Sequence, residues 1–409
     1  MDYRGLYGPD REREAEARFR SVQEGYAALR GGPPEKFFSS PGRTEIIGNH
    51  TDHNGGKVIV AAIDCDILAA VGRREDGVVE ICSKGFRPVR FRLSDTSPRR
   101  AEAGRSASLA RGVAEGIRRR GYRVGKMGGF SAYTESTVFR GAGVSSSAAF
   151  EILVAEIFNV LFLDGALSPA DKAEIGHFAE NVCFGKPCGL LDQSGVAFGG
   201  LNKMDFSDPA KPLVSPLPPL NGYSLVLVNA GGSHSALTRY YADIRREMEE
   251  TAAFFGKRIL REVREEEFLD ALPDLKGKVS ERAILRAAHF FAENRRTDGA
   301  ADALLRGDVS AFLRLLRESG ESSQKYLQNC FVPGSDVQPV NLALWLSSRL
   351  LKEGGYRLHG GGFAGTILAC VREEEREGYV REMSRVFGKE NVFRARVRDS
   401  GTAEVGLGG

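Results

Sequence analysis

Strand-length and helix-length apolar runs share this chain without a regular β–α alternation, an order that favours an α+β fold over a doubly wound parallel sheet. Apolar residues at helical spacing (Phe19, Val22, Tyr26, Leu29) predict a helix over Arg11–Arg30, closed by Gly31-Gly32-Pro33-Pro34. Strands are then expected at Val58–Ala62, Asp66–Val71, Val78–Ser83 and Val89–Leu93. A helix at Ser108–Arg119 and a strand at Gly128–Thr134 precede helices at Ala148–Leu163 and Ala170–Val182. Five prolines lie between the strands predicted at Gly200–Met204 and Tyr223–Asn229. At 409 residues the chain is long for one hydrophobic core, so this composition shift sets the expected division into domains 1–205 and 206–409. The second half continues with a charged helix over Ala236–Phe255, helical segments to Leu351, and strands at Thr366–Val371 and Val392–Val397.

A composition of 42% hydrophobic and 27% charged residues is that of an ordinary soluble globular protein. A net charge of +3 with interspersed signs argues against nucleic acid or an anionic membrane as partner. The basic cluster Arg118–Arg120, continuing to Arg123, reads as the solvated end of a helix, because no aromatic beyond Tyr122 is interleaved with it. Cys65, Cys82, Cys183, Cys188, Cys330 and Cys370 are scattered without a CxxC pair and read as reduced small hydrophobes. The start, MDYRGLYGPDRERE, alternates charges and lacks an apolar core, so no signal peptide is expected. Asp64 and Asp66, or Glu151 and Glu156, interrupt the most apolar stretches, so no bilayer span is expected. The expectation is a cytoplasmic protein of open oligomeric state.

Four segments carry chemistry. Pro41–Gly56, PGRTEIIGNHTDHNGG, packs Arg43, Asn49, His50, Asp52 and Asn54 among glycines that let the backbone bend around a ligand. Arg140–Glu151, RGAGVSSSAAFE, leads into an apolar helix, leaving several N–H groups and Ser145, Ser146 and Ser147 at a helix start. Serine capping alone would need fewer serines, so a phosphate site is the preferred reading. The spacing is neither GxxxxGK[ST], since no lysine follows the last glycine, nor GxGxxG. In CGLLDQSG, Asp192 sits at a small-residue turn, with Glu180 twelve residues earlier; one carboxylate can serve as base and the other hold a metal, or one can cap a helix and the other be solvated. His359–Thr366, HGGGFAGT, is a glycine-dense turn, beside which Arg357 either neutralises an anion or sits in a surface ion pair.

Together these segments resemble the GHMP kinase superfamily, specifically the galactokinases. The GR…IGEHTDYNGG signature is matched by Gly42-Arg43 and Ile47–Gly56, the SSSA loop at Gly141–Ala148, CGIMDQ at Cys188–Gln193, and the GGGFGG-type loop at Gly360–Gly365. The resemblance implies a two-domain GHMP kinase-like α+β fold. Its active site would lie in the cleft between an N-terminal mixed-sheet domain and a C-terminal α/β domain. It further implies an ATP- and Mg²⁺-dependent sugar 1-kinase, with Asp192 as catalytic base and Arg43 stabilising charge on the transferring phosphoryl group. Asn49, His50, Asp52, Gly189 and Tyr241 would bind the sugar; Gly141, Gly143, Ser145, Ser146 and Ser147 would bind ATP. Ser146 or Ser147, with Glu180, would hold Mg²⁺.

The chain departs from the pattern at Asn49, where the family usually has glutamate, at His53 for tyrosine, at Phe139 near a missing proline, and at Ala364 for glycine. Replacing the glutamate at 49 removes a charge-assisted hydrogen bond to the sugar, worth about 1–2 kcal/mol. Galactose is the expected substrate; another hexose, a pentose or an N-acetylated amino sugar is the alternative. A non-catalytic galactose and ATP sensor is a further alternative, disfavoured by the intact serine loop.

Overall fold

The computed structural model describes residues 3–8, 11–138, 143–186, 188–208, 211–231, 237–363 and 365–406. Its strands are β1 (Lys36–Ile47), β2 (Lys57–Arg73), β3 (Val78–Ser83), β4 (Val89–Arg92), β5 (Gly129–Ser136), β6 (Leu201–Asp205), β7 (Leu213–Pro216), β8 (Tyr223–Asn229), β9 (Gly355–Leu358), β10 (Thr366–Arg372), β11 (Val392–Ala395) and β12 (Ala403–Val405). The larger sheet runs β12-β1-β2-β5-β3-β4, with β6 also on β2 and β7 beyond it; the smaller runs β11-β8-β10-β9. Within the larger sheet β3 and β5 are parallel, which makes it mixed.

Two expectations about strands give way to longer ones. The runs predicted at Val58–Ala62 and Asp66–Val71 form a single strand, β2. The acids between them are accommodated by partners from elsewhere in the chain. Asp64 accepts hydrogen bonds from Arg11 Nη1 at 2.9 Å and the Arg396 N–H at 3.0 Å. Asp66, fully buried, accepts from the Tyr7 hydroxyl at 2.6 Å and Arg18 Nη2 at 2.7 Å. A buried carboxylate is tolerated when paired and hydrogen-bonded in this way. The first half of the polar run Pro41–Gly56 is likewise strand rather than loop, because β1 extends through Ile47 against β2. Alternation along a strand then sets Arg43 and Glu45 on one face.

The period-2 pattern of β2 separates its neighbours. Leu68 and Ala70 pack with Phe19, Val22 and Tyr26 of the helix Glu12–Arg30. Ile59, Ala61, Ala69 and Val71 join the core that includes the helices Ser106–Arg119, Ser146–Phe162 and Pro169–Phe178. Full burial of each Val, Leu, Ile or Phe side chain among these contributes about 1.5–3 kcal/mol. The last of these helices does not run to Val182 as expected. After Phe178 the backbone widens into a π-helical turn, Ala179–Phe184, that carries Glu180 into the interior. In the smaller sheet, Val226, Val228, Ile367 and Ala369 pack with Val340, Tyr379 and Met383 from the helices Pro339–Leu350 and Glu373–Phe387. The proline-rich segment holds β7, still part of the larger sheet, and the chain's end returns to that sheet as β12 beside β1.

Candidate active site

Separate segments converge on the Asp192 carboxylate. Asp192 lies in the first turn of the helix Leu191–Phe198, where the helix dipole favours negative charge. Gly195 lets this helix lie against the sheet, since a Cβ there would come within 2.8 Å of Val60 Cγ2 and 3.1 Å of Arg43 Cβ. Arg43 therefore reaches Asp192: its Nε and Nη2 donate to Oδ1 at 2.8 and 2.5 Å. Its Nη1 donates to the Gly143 carbonyl at 2.5 Å, tying the strand to the serine loop. Ser145 Oγ donates to the other carboxylate oxygen of Asp192 at 2.5 Å. Ser145 holds the left-handed conformation (φ 61°) to do so, a strained state of the kind that collects at functional sites. Burial pushes the Asp192 carboxyl up, but Arg43, then Lys186 and the Ser145 hydrogen bond, outweigh it and hold the group below the ordinary carboxylate range. Asp192 is therefore held ionised and oriented by its partners.

The serine loop opens onto a second carboxylate. Ser147 Oγ donates to Glu180 Oε1 at 2.8 Å, and Gln193 Nε2 bridges Glu180 Oε2 at 2.7 Å and Glu151 Oε2 at 3.0 Å. Among the described residues no group of three or more His, Cys, Asp and Glu is placed to hold a metal. That does not disqualify Mg²⁺, which binds through one or two carboxylates plus water and substrate phosphates. The fully buried Glu180 carboxylate and the Ser147 hydroxyl are hard oxygen ligands of that kind. Beside them Ser146 and Ser147 line a cavity of about 380 Å³ with Ser83, Lys84, Phe86 and Phe184. No sequence motif pointed to these cavity residues, which come from β3, the turn after it and the π-helical turn. Gly143 is at the loop's mouth (φ 71°), while Gly141, like Phe139 and Ala364, lies outside the described residues.

The other wall is the polar loop after β1, gripped by the glycine turn that follows β9. Carbonyls of Gly360 and Gly361 accept from Asn49 Nδ2 at 2.7 Å and His50 Nε2 at 3.0 Å, and that of Gly362 from the Tyr241 hydroxyl at 3.1 Å. The Tyr241 ring stacks on His50 with centroids 6.4 Å apart. Gly189 lies directly against Asp52; a Cβ there would collide with Asp52 Oδ2 at 1.8 Å. Asn49 is fully buried, and its amide is engaged by protein: Nδ2 also donates to Glu45 Oε1 at 3.1 Å, and Oδ1 accepts from Asn329 Nδ2 at 2.8 Å. Arg357 is neither a surface pair nor a free anion site. It is fully buried, with Nη1 donating to Glu45 Oε1 at 2.9 Å. Glu45, which sequence reasoning passed over, is thus the carboxylate that Asn49 and Arg357 hold beside Asp52. A signal was present: in TEIIGN an acid sits two residues after the site arginine on a strand, hence on its face.

Burial first, and the nearby charge of Glu45 second, push the Asp52 carboxyl up to about 7. The folded value therefore lies above the unfolded one, so the native state keeps a proton that the unfolded chain releases. Stability attributable to Asp52 is present below the unfolded value near 3.9 and is lost as pH rises through about 7. Thermal midpoints recorded from pH 5 to 8 should fall more steeply in the wild type than in Asp52→Asn; parallel curves would remove Asp52 from the titration.

A serine loop at a helix start beside an arginine-paired aspartate, set between a mixed sheet and an α/β unit, is the arrangement of a small-molecule kinase of the GHMP class. Residues 83–200 match the model of the GHMP kinases N terminal domain, and residues 24–73 the galactokinase galactose-binding signature. The chain is 33% identical over 341 residues to the galactokinase of Actinobacillus pleuropneumoniae, covering 83% of this chain and 85% of that one. With the Homo sapiens galactokinase it shares 34% identity over 372 residues, 89% and 90% of the two chains. The fold superposes on the crystal structure of Lactococcus lactis galactokinase complexed with galactose at a TM-score of 0.82, with 26% identity, over 95% of this chain and 100% of the other. A mevalonate kinase, at TM-score 0.62 and 14% identity, shares the fold. The chain belongs to the galactokinase family. It is a sugar kinase, and no helix among its described residues is long and apolar enough to cross a membrane.

Proposed function

We propose that this enzyme transfers the γ-phosphoryl group of ATP to the anomeric hydroxyl of galactose, with Asp192 as base. The observation that carries the reading is the Arg43–Asp192–Ser145 knot, which joins the sugar-side strand, the phosphate loop and the base within single hydrogen bonds. In the reaction the O1–H bond breaks and its proton passes to Asp192, while an O1–P bond forms and the bond from γ-phosphorus to the ADP oxygen breaks. Phosphoryl transfer depends chiefly on positioning and charge neutralisation, so Arg43 serves by keeping Asp192 ionised and by facing the transferring group. Ser147 and Glu180 would hold Mg²⁺, which when bound neutralises phosphate oxygens. Gly141, Gly143 and Ser145–Ser147 form the phosphate loop in this reading. The cavity beside Lys84 and Phe86 is of the right size for a nucleoside, falling within the range of ordinary ligand pockets. The division into 1–205 and 206–409 belongs to the same proposal, as does a cytoplasmic location.

His50, Asp52, Gly189 and Tyr241 line the proposed sugar side. Asn49 takes part by holding Glu45, whose second oxygen is the acceptor offered to the sugar. Glu45→Gln should raise KM for galactose about tenfold with kcat within about threefold, as expected for loss of a charge-assisted bond made equally in ground and transition states. An unchanged KM would take Glu45 out of the pocket. The proposal as a whole is tested by kcat/KM across free sugars. Galactose is expected to lead. A pentose or N-acetylated amino sugar in first place would overturn the substrate, and ATP consumption indifferent to every sugar would overturn the reaction.

A further inference from the structure

A lysine that no motif includes sits at the centre of this site. Lys186 follows the π-helical turn, one residue after Gly185, which adopts φ 85°. Its Nζ donates to Glu180 Oε1 at 2.8 Å, the same oxygen that accepts the Ser147 hydroxyl at 2.8 Å. The ammonium therefore occupies the sphere of the two groups suited to Mg²⁺. The Lys186 side chain is 54% exposed, whereas that of Glu180 is 0%. Its four-carbon stem can swing while its root stays fixed.

Its charge also bears on groups beyond Glu180. They are Asp192 on the helix Leu191–Phe198, Tyr241 on the helix Thr238–Phe254, Glu151 on the helix Ser146–Phe162, and Cys188 nearby. Among the cations acting on Asp192, Arg43 comes first and Lys186 next. Arg43 is committed: Nε and Nη2 are on Asp192 and Nη1 is on the Gly143 carbonyl. The serine loop itself brings no lysine of the GxxxxGK[ST] kind. A transferring phosphoryl group facing Asp192 thus meets one cation already held by that carboxylate and one that is half exposed beside Glu180.

We propose that Lys186 is a further catalytic residue, which holds the Glu180 carboxylate in the free enzyme and moves onto the oxygens of the transferring phosphoryl group when metal and nucleotide enter. The inference rests on the phosphotransfer reading above. Two consequences are separable. In the free enzyme Lys186 competes with a divalent cation for Glu180, so its removal improves metal binding without nucleotide. In turnover Lys186 neutralises charge that develops on the phosphoryl oxygens, so its removal slows the chemical step.

The variants are Lys186→Met, which keeps the stem and removes the charge, and Lys186→Arg, which keeps the charge; a half-exposed site makes both compatible with folding. Mn²⁺ affinity of the nucleotide-free protein, read by electron paramagnetic resonance, should rise about tenfold in Lys186→Met. Its kcat should fall roughly 10²-fold, with KM for galactose unchanged and with partial recovery in Lys186→Arg. Both effects are required. A kcat within about threefold of wild type overturns the catalytic role, and an unchanged Mn²⁺ affinity overturns the competition. Wild type is assayed first with ATP and galactose. If it does not turn over, the phosphotransfer reading fails and this inference with it; an active wild type beside an unaffected Lys186→Met defeats this inference alone.

Discussion

Asp192→Asn should lose about 10³-fold or more in kcat while ADP affinity stays within about threefold of wild type, the pattern expected when a general base alone is removed. The substitution preserves shape and leaves the serine loop free to bind phosphates. What it removes is the carboxylate that Arg43 and Ser145 orient through three hydrogen bonds. It also removes the negative charge opposite Arg43, so the amide must present its oxygen to the guanidinium and cannot take a proton. Single-turnover kinetics with titration calorimetry for ADP separates the two effects. A variant that keeps wild-type kcat would take Asp192 out of the chemistry.

The largest loss of stability is expected at Arg357, one hydrogen bond behind Glu45. Arg357→Met should destabilise folding by about 3–5 kcal/mol, because it strands the buried Glu45 carboxylate without its cation. Glu45 is one of the acids around the sugar loop, and its charge already bears on Asp52 and His50. Without Arg357 the Glu45 carboxylate keeps, among the described residues, only the hydrogen bond from Asn49. The double variant Glu45→Gln, Arg357→Met removes both charges and should recover most of the loss. Urea unfolding of the three proteins measures this directly. If the double variant were as unstable as Arg357→Met alone, the cost would lie in packing around the arginine stem rather than in the stranded charge.

What could be read from the residues, and what could not, divides along a physical line. Turn chemistry and helix starts are local, so the polar loop, the serine loop and the Asp192 turn were recognisable as short strings. Strand continuity in β2 was hidden, because Asp64 and Asp66 look like breaks until Arg11, Arg18 and Tyr7 are brought to them from 48 to 59 residues away. The Arg357–Glu45 pair spans 312 residues, and no local pattern announces it. Asn49 looked like a weakened sugar contact. In space Asn49 is buried and its amide holds the Glu45 carboxylate. Lys186 was equally silent, since its role depends on a π-helical turn that widens the chain at Glu180.

The central claim is that this site phosphorylates the anomeric oxygen of galactose. Phosphorus-31 nuclear magnetic resonance of the purified enzyme with ATP, Mg²⁺ and galactose tests it most directly. Galactose 1-phosphate should grow in step with ADP, and be absent with Asp192→Asn. Phosphate appearing on another hydroxyl of the sugar, or ATP persisting beside untouched galactose, would contradict it.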